Sequence, residues 1–395
     1  MSTIKVTNVN PPTAGNAVNI NGLAYPTAGP LSSRNLIANG SMAVAQRGTS
    51  STTSGYGTVD RFACYFSGGA QTQTQETLTS GTPYDEGFRY FLRLANTTSS
   101  TGAGDSRQIM AKLEGQNIAQ SGWNYTSSTS YITLSFWVRA SVSQEYYAYL
   151  HTLDGTAQIY PFSLGTLTAD TWTKITETVP GNSNITIDND NGQGFRIVIA
   201  PFWGTDATDS GVSVDTWAAY ADGTRTPDYT NTWANTTNAT FDITGVQLEV
   251  GQVATPFEHS SYGDELRRCQ RYFQGYNAQD ATARAAISYS NYDTDASSNL
   301  QTTTLIGVGT CTDADDARIV EKFPVAMRAR PTVTVSDVRL MTGLTLHNST
   351  TIIDDNQSSI FGLSLIVDNT GGMSTADCAH LIIKGNGYVF MDAEL

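Results

Sequence analysis

The chain has 395 residues, 22 of them basic and 36 acidic, which gives a formal net charge of −14. A surplus of negative charge repels phosphate backbones, so a nucleic-acid partner is not expected. Hydrophobic residues make up 39% and aromatic residues 10% of the chain, which is enough to fill β-sheet cores. Because the length exceeds one typical domain of ~100–200 residues, we predict two domains plus tails.

The cysteines and the N-terminus restrict the class of protein further. Four cysteines lie far apart without CxxC spacing, which favours reduced, mostly buried thiols over a zinc cluster or a disulfide scaffold. The first residues lack the charged start and apolar run of a secretion signal, and no stretch approaches ~18 apolar residues. We therefore expect synthesis and assembly in a cytoplasm, without membrane insertion.

Residues 1–33 are rich in Asn, Pro, Gly and Thr and have only brief apolar alternation, at Ile4 and Val6 and at Val18 and Ile20. Such a segment cannot bury much surface by itself. Two interpretations stay open: a flexible tail, or an extended arm that becomes ordered on a neighbouring subunit.

From Asn35 onward, short apolar runs alternate with clusters of Gly, Ser, Thr, Asn and Pro, the spacing typical of strands in a β-sandwich. Helical periodicity is nearly absent, so we predict an all-β fold. The clearest predicted strands of the first domain are Tyr131–Ala140, Glu145–His151, Trp172–Val179, Phe195–Pro201 and Phe241–Val250.

One segment, Ser260–Phe273, has helical character. A Ser N-cap, acidic residues in the first turn and basic residues later precede an apolar pattern at three-to-four spacing. Because so short a helix is marginal alone, its apolar face must pack on something. We predict a linker or oligomerisation helix over residues 259–275, with Leu266, Cys269, Tyr272 and Phe273 at the seam; the alternative is a helix packed on its own domain.

Strand-like runs return after Gln274 and predict a second, smaller β-sandwich over residues 276–395. No repeat of 20–50 residues is present, which argues against a solenoid or β-helix. The predicted strands are Ala285–Tyr289, Thr303–Gly307, Ile319–Phe323, Pro331–Val335, Ile360–Val367, Ala379–Ile383 and Tyr388–Met391.

Five segments in residues 34–258 resemble, in order and spacing, the jelly-roll carbohydrate-binding modules of glycoside hydrolases. They are Asn35–Met42, Asp60–Phe62, Tyr131–Ala140, Trp172–Lys174 and Phe241–Gly251. The resemblance implies a jelly-roll β-sandwich. Such modules often hold a structural calcium near the first and last strands, which corresponds to Asn39 and Asp242.

We nevertheless predict no bound metal, and Asn39 and Asp242 remain only weak calcium candidates. Ser41-Met42 stand where those modules usually carry an acidic residue after Asn-Gly. The acidic segment Asp188–Gly192 lacks the full twelve-residue calcium-loop pattern, so we interpret it as an ordinary turn. No cofactor is predicted.

A second resemblance concerns phage structural and tail-fibre proteins. Asn35–Met42 with Gln46–Gly48, Gln247–Gly251 with Ala254–Glu258, Tyr262–Leu266 and Cys269–Phe273 are similar to a recurring series in such proteins. Phe323–Val333 and Asp392–Leu395 resemble the C-terminal module found with it. The resemblance implies a virion protein and a homotrimer, attached to other virion proteins through residues 1–33.

No catalytic constellation is evident. His151, His259, His347 and His380 stand singly, and HExxH and GxSxG motifs are absent. Carboxylates are plentiful, but abundance does not identify the opposed pair that a glycosidase needs. We predict a non-enzymatic protein.

The region most suggestive of binding is residues 202–233, where aromatic residues alternate with Asp, Thr, Asn and Gly. Flat rings can pack on sugar C–H faces while polar groups bind hydroxyls, although aromatic residues are equally favoured in cores and interfaces. The glycan-binding candidates are Trp203, Trp217, Tyr220, Tyr229 and Trp233.

Together these patterns favour a phage tail-fibre or appendage subunit that contacts a host-surface glycan or receptor. The alternatives are a capsid decoration or head-fibre protein, a polysaccharide depolymerase, and a stand-alone bacterial carbohydrate-binding module, the last disfavoured by the lack of an export signal.

Overall fold

A computed structural model describes residues 18–20, 23–25, 33–230, 232–277, 304–342, 345–354, 358–369 and 372–395. These residues form an antiparallel β protein with three short helices, α1 (Thr82–Asp85), α2 (Gly115–Ala119) and α3 (Tyr262–Gln270). The predicted all-β class is confirmed. The chain divides into an N-terminal unit, residues 1–265 with Leu395, and a C-terminal unit, residues 266–394, with the boundary inside α3. No described helix has the length and apolar character needed to span a membrane.

The N-terminal unit is a β-sandwich of two six-stranded sheets. The strands of sheet 1 are β3 (Ser50–Ser51), β5 (Ala70–Thr77), β6 (Tyr90–Thr98), β8 (Tyr131–Ala140), β11 (Thr173–Pro180) and β14 (Ala239–Val250). Those of sheet 2 are β4 (Phe62–Ser67), β7 (Ser106–Glu114), β9 (Glu145–Thr152), β10 (Gln158–Thr166), β12 (Gln193–Trp203) and β13 (Ala218–Ala219). Sheet 1 has the order β11-β8-β14-β6-β5-β3 and sheet 2 the order β13-β10-β9-β12-β7-β4.

The core lies between the two sheets because alternate residues of each strand point inward. In β8, Ile132, Leu134, Phe136 and Val138 are fully buried in this core, as their spacing predicts. Phe195, Ile197 and Ile199 of β12 face them from sheet 2. The residues between these positions, such as Arg196, therefore lie on the outer face of sheet 2.

Residues 35–40, which belong to both of the resemblances described above, connect the start of the sandwich to strand β14. Asn35 Nδ2 donates to Val246 O at 3.1 Å, and Asn35 Oδ1 accepts from the Leu248 amide at 3.1 Å. A Cβ on Gly40 would lie 2.0 Å from Val246 O, so only glycine permits this approach. The motif therefore fastens the start of the sandwich to its last strand, β14.

The C-terminal unit contains one antiparallel sheet that closes on itself. Its strands are β15 (Phe273–Asn277), β16 (Thr304–Cys311), β17 (Asp316–Lys322), β18 (Thr332–Thr342), β19 (Thr345–Asp354), β20 (Gly362–Asn369) and β21 (Cys378–Asp392). Their order is β15-β21-β16-β17-β20-β19-β18, and closure results because β18 also pairs with β21. The buried apolar cluster of this unit includes Ile319, Leu340, Leu365 and Leu381.

Several predicted boundaries differ from the structure. The helix ends at Gln270, so Tyr272 and Phe273 lie outside it, and Phe273 begins β15. The two strands predicted at residues 379–383 and 388–391 are one continuous strand, β21. A Cβ on Gly387 would lie 2.5 Å from Ser336 O, so the glycine permits close strand pairing at a register shift.

Other predictions fall mainly outside the described residues. The predicted strand Ala285–Tyr289 lies there, as does most of the predicted arm, residues 1–33. Within the arm, β1 (Val18–Ile20) pairs antiparallel with β2 (Leu23–Tyr25).

Candidate functional site

The five predicted glycan-binding aromatics separate into three places. Trp203, Tyr220 and Tyr229 pack together on the outer face of sheet 2. Trp217 lies at the edge of the sandwich, where its Nε1 donates to Pro180 O at 2.7 Å and its ring is 5.3 Å from that of Tyr160. Trp233 is fully buried in the core, with Nε1 donating to Thr240 O at 3.0 Å. It is a core residue and has no exposed face.

Residues 204–230, hereafter the covering loop, pair with β10 at the edge of sheet 2 through β13 and also pack over part of the outer face of that sheet. The Tyr220 amide donates to Ala157 O at 2.9 Å, and the Asp215 amide donates to Pro161 O at 2.7 Å. Tyr229 Oη donates to Ala200 O at 3.0 Å, and its ring lies edge-on to Tyr147 at 5.2 Å. Tyr229 therefore anchors the covering loop to the sheet.

The ring of Tyr220 is the centre of a polar-aromatic cluster. It stacks on the imidazole of His151 with centroids 4.0 Å apart and an interplanar angle of 16°. The guanidinium carbons of Arg196 and Arg225 lie 6.0 and 5.8 Å from the Tyr220 centroid. Tyr220 stays partly exposed. We call these four residues, with Trp203 and Asp222, the Tyr220 site.

Sheet register brings His151 and Arg196 together. Arg196 of β12 lies directly opposite His151 of β9, and its Nε donates to His151 Nδ1 at 2.8 Å. Burial, followed by the nearby Arg196 and Arg225, lowers the pKa of His151 to about 3. The imidazole is therefore neutral at physiological pH, and because Nδ1 accepts a hydrogen bond, Nε2 carries the proton.

Arg225 and Asp222 complete the site on the side of the covering loop. Arg225 Nε donates to Tyr220 Oη at 2.8 Å, Arg225 Nη2 donates to Asp222 Oδ1 at 2.6 Å, and the guanidinium lies 4.5 Å from the Trp203 ring. Hydrogen bonds from Tyr220 and Arg225 lower the pKa of Asp222. Asp222 thus neutralises Arg225.

Sequence reasoning missed His151, Arg196 and Arg225. His151 and Arg196 each alternate with inward-facing residues on predicted strands, so their outward direction could be predicted. The pairing of β9 with β12, which brings them into contact, could not, because these strands are distant in the chain. Arg225 lies in the covering loop, for which periodicity gives no signal.

The two weak calcium candidates, Asn39 and Asp242, are bound by other protein groups. Asn39 Nδ2 donates to Val44 O and Asp60 O, each at 2.8 Å. The Asp242 carboxylate accepts from Arg93 and Arg139. Within the described ranges, no cluster of three or more His, Cys, Asp or Glu is arranged to hold a metal.

The four predicted seam residues differ in exposure. Cys269, Tyr272 and Phe273 are buried within the single chain, whereas Leu266 on α3 is only partly buried. Phe273 lies edge-on to Phe390 with centroids 5.2 Å apart. The predicted role of these residues in oligomerisation stays a prediction.

One carboxyl group outside the Tyr220 site is strongly perturbed. Burial, with a smaller contribution from Asp215, raises the pKa of Glu177 to about 7. Tyr160 Oη donates to Glu177 Oε1 at 3.3 Å. On β11, Glu177 lies two residues from both Ile175 and Val179 and so shares a face with them, and these two residues pack on the core. Its side chain therefore lies on the inward side of sheet 1, away from the outer face of sheet 2.

Comparison with known proteins finds no matching family model and no matching curated protein. Among solved structures, the enzymatically active domain of bacteriophage CBA120 tailspike protein 4 is similar over 55% of this chain and 21% of that chain, at 11% identity and TM-score 0.30. The N-terminal cellulose-binding domain of Cellulomonas fimi β-1,4-glucanase C is similar over 53% and 99%, at 12% identity and TM-score 0.28. The family 11 carbohydrate-binding module of Clostridium thermocellum is similar over 53% and 98%, at 12% identity and TM-score 0.24. These values are too low to transfer an activity to this chain.

Proposed function

We propose that this chain is a non-enzymatic structural protein of a bacteriophage particle, a tail-fibre or appendage subunit whose N-terminal sandwich binds host-surface glycans. The observation that carries the glycan-binding part is the Tyr220 ring, held against His151 and flanked by Arg196 and Arg225. A fixed, partly exposed ring presents apolar area to the C–H face of a sugar at little cost in side-chain entropy. The flanking guanidinium groups bring hydrogen-bond donors to the same place.

The virion assignment is supported by the series of motifs from Asn35 to Phe273 and by two β units in one chain. In this proposal residues 1–33 attach the subunit to other virion proteins, and the chain forms a homotrimer. Several weak sites on one particle reinforce one another by avidity, so no single tight pocket is required.

Glycan binding is tested with the full chain on purified polysaccharides of the host surface, by retention or isothermal titration. Tyr220→Ala removes the ring and is expected to abolish measurable binding. Tyr90→Ala, which removes a 37% exposed tyrosine ring from sheet 1, is the matched control and should bind like the parent. Absence of binding by the parent protein would overturn the glycan-binding proposal.

Enzyme action and location need separate tests. Sustained release of reducing ends from the same polysaccharides would replace the non-enzymatic proposal with a depolymerase. Antibody labelling of whole particles distinguishes the two virion alternatives, because signal confined to the capsid surface would rule out the tail and favour a head-fibre or decoration protein. Particles without any label would overturn the virion assignment itself.

A further inference from the structure

The hydrogen-bonding inventory of the Tyr220 site consists mainly of donors. Arg196 uses Nε on His151, and its terminal nitrogens have no hydrogen-bond acceptor among the residues that the structure describes. The buried Nε2 of His151 and the buried Nε1 of Trp203 also lack an acceptor there. Asp222, the carboxylate of the site, already accepts from Arg225 and Tyr220.

Arg196 also has no salt-bridge partner among the residues that the structure describes. No carboxylate of the described part of the chain lies within 4.0 Å of it, whereas Arg225 pairs with Asp222, and Arg93 and Arg139 share Asp242. Arg196 is half-buried, which makes an unpaired charge more costly than on an open surface. In a chain of net charge −14, such a local positive group is not part of a general basic surface.

We propose that the Tyr220 site selects glycans that carry a carboxylate, with Arg196 as the residue that binds the carboxylate group. This inference rests on the proposed glycan-binding function and names its ligand class. A planar guanidinium fork matches a carboxylate through two parallel hydrogen bonds. A carboxylate is an acceptor only and so suits the unmatched terminal nitrogens of Arg196, whereas the hydroxyls of a neutral sugar bring donors together with acceptors.

The sugar ring and its carboxylate engage different parts of the site. The ring packs against the exposed side of Tyr220, which His151 supports from the other side. The neutral state of His151 leaves the guanidinium groups as the positive charges of the site. Arg196 therefore supplies the selectivity, and Tyr220 supplies contact area common to acidic and neutral sugars.

The test measures binding of the full chain to matched pairs of oligosaccharides, each a uronic-acid or sialic-acid glycan and its carboxyl-reduced neutral counterpart. We expect binding to acidic members and a loss of roughly 10- to 100-fold on carboxyl reduction, the range for hydrogen bonds to a charged group. Arg196→Gln should remove this difference. Arg196→Lys keeps the charge without the planar fork and should retain part of it.

Arg89→Gln is the matched control, since it removes one positive charge from an exposed position just before β6 of sheet 1 and should leave the preference intact. Thermal unfolding of each variant checks that the sandwich is folded. Equal binding to both members of every pair would overturn the carboxylate inference while leaving glycan binding in place. Binding to neither member of any pair would overturn both. An acidic preference that survives in folded Arg196→Gln would overturn the role of Arg196.

Discussion

Arg139 and Asp242 form a charge pair across β8 and β14, with Arg139 Nη2 2.7 Å from Asp242 Oδ2. Arg93 of β6 approaches the same carboxylate from the other side, at 2.8 Å. The Asp242 side chain is fully buried while the two arginines are 25–30% exposed. One carboxylate therefore holds together three central strands of sheet 1.

Asp242→Asn should destabilise the N-terminal unit, because the two guanidinium groups would lose their shared negative partner. We expect a loss of about 2–3 kcal/mol in the free energy of unfolding, below the full range for buried pairs since the arginines are partly exposed. All six tryptophans lie in the N-terminal unit, so tryptophan fluorescence during urea unfolding reports on that unit alone.

The control for Asp242→Asn is Lys174→Gln, which breaks a pair with Glu86 in which both side chains are more than a third exposed. Its cost should stay within about 0.5–1 kcal/mol. Equal urea midpoints for the two variants would contradict a special role for Asp242.

Glu177 makes stability depend on pH. Its pKa is about 7 in the folded chain against an ordinary 4.5, so between these values the folded state binds more protons than the unfolded state. Stability contributed by this group is therefore present at low pH and is lost as pH rises toward 7. Glu177→Gln should unfold at a higher temperature than the parent at pH 8, with a smaller difference at pH 5.

Glu145→Gln, at an exposed position on β9, is the control for removing one negative charge. The measurement is the unfolding temperature of all three proteins at both pH values. If Glu177→Gln does not have a higher unfolding temperature than the parent at pH 8, burial does not destabilise the charged form of this carboxylate.

Asn39 has a left-handed backbone conformation and also makes several hydrogen bonds through its side-chain amide. Its φ of 60° lies in the left-handed region, which asparagine tolerates better than most residues, and its amide makes three hydrogen bonds, to Val44 N, Val44 O and Asp60 O. Asn39→Gly relieves the backbone but loses the bonds, with an expected cost of about 1–3 kcal/mol. Asn39→Ala should cost about 1–2 kcal/mol more, because alanine disfavours positive φ.

These costs are measured as shifts in the urea midpoint of tryptophan fluorescence. Asn39→Asp tests the calcium hypothesis in the same assay, since aspartate loses the two donated bonds but would be the better metal ligand. We expect it to be destabilised with and without added Ca²⁺. Restoration of stability by Ca²⁺ would mean that this position can hold the metal.

More of the fold than of the Tyr220 site could be predicted from the sequence. Alternation at Ile132, Leu134 and Phe136 predicted both a strand and its buried face, because period-two patterning is a local property. The contact between His151 and Arg196 depends on which strands are neighbours in sheet 2, and no local pattern specifies that. Trp233 illustrates the same limit: composition made it one of five glycan-binding candidates, and three-dimensional packing places it in the core.

Leu266 offers a test of the proposed oligomer. Of the four predicted seam residues it alone keeps part of its side chain exposed, so it can contact another subunit without unfolding its own. If α3 contributes to a subunit interface, Leu266→Asp places an unpaired charge in an apolar contact and should convert trimers to monomers in light scattering. Gly263→Asp adds the same charge to the first turn of α3, where a Cβ meets no atom within 4 Å, and should leave the mass unchanged.

Unchanged tryptophan fluorescence and circular dichroism would confirm that both variants are folded. A folded Leu266→Asp protein with the mass of the parent oligomer would remove α3 from the interface, and a monomeric parent would remove the trimer itself.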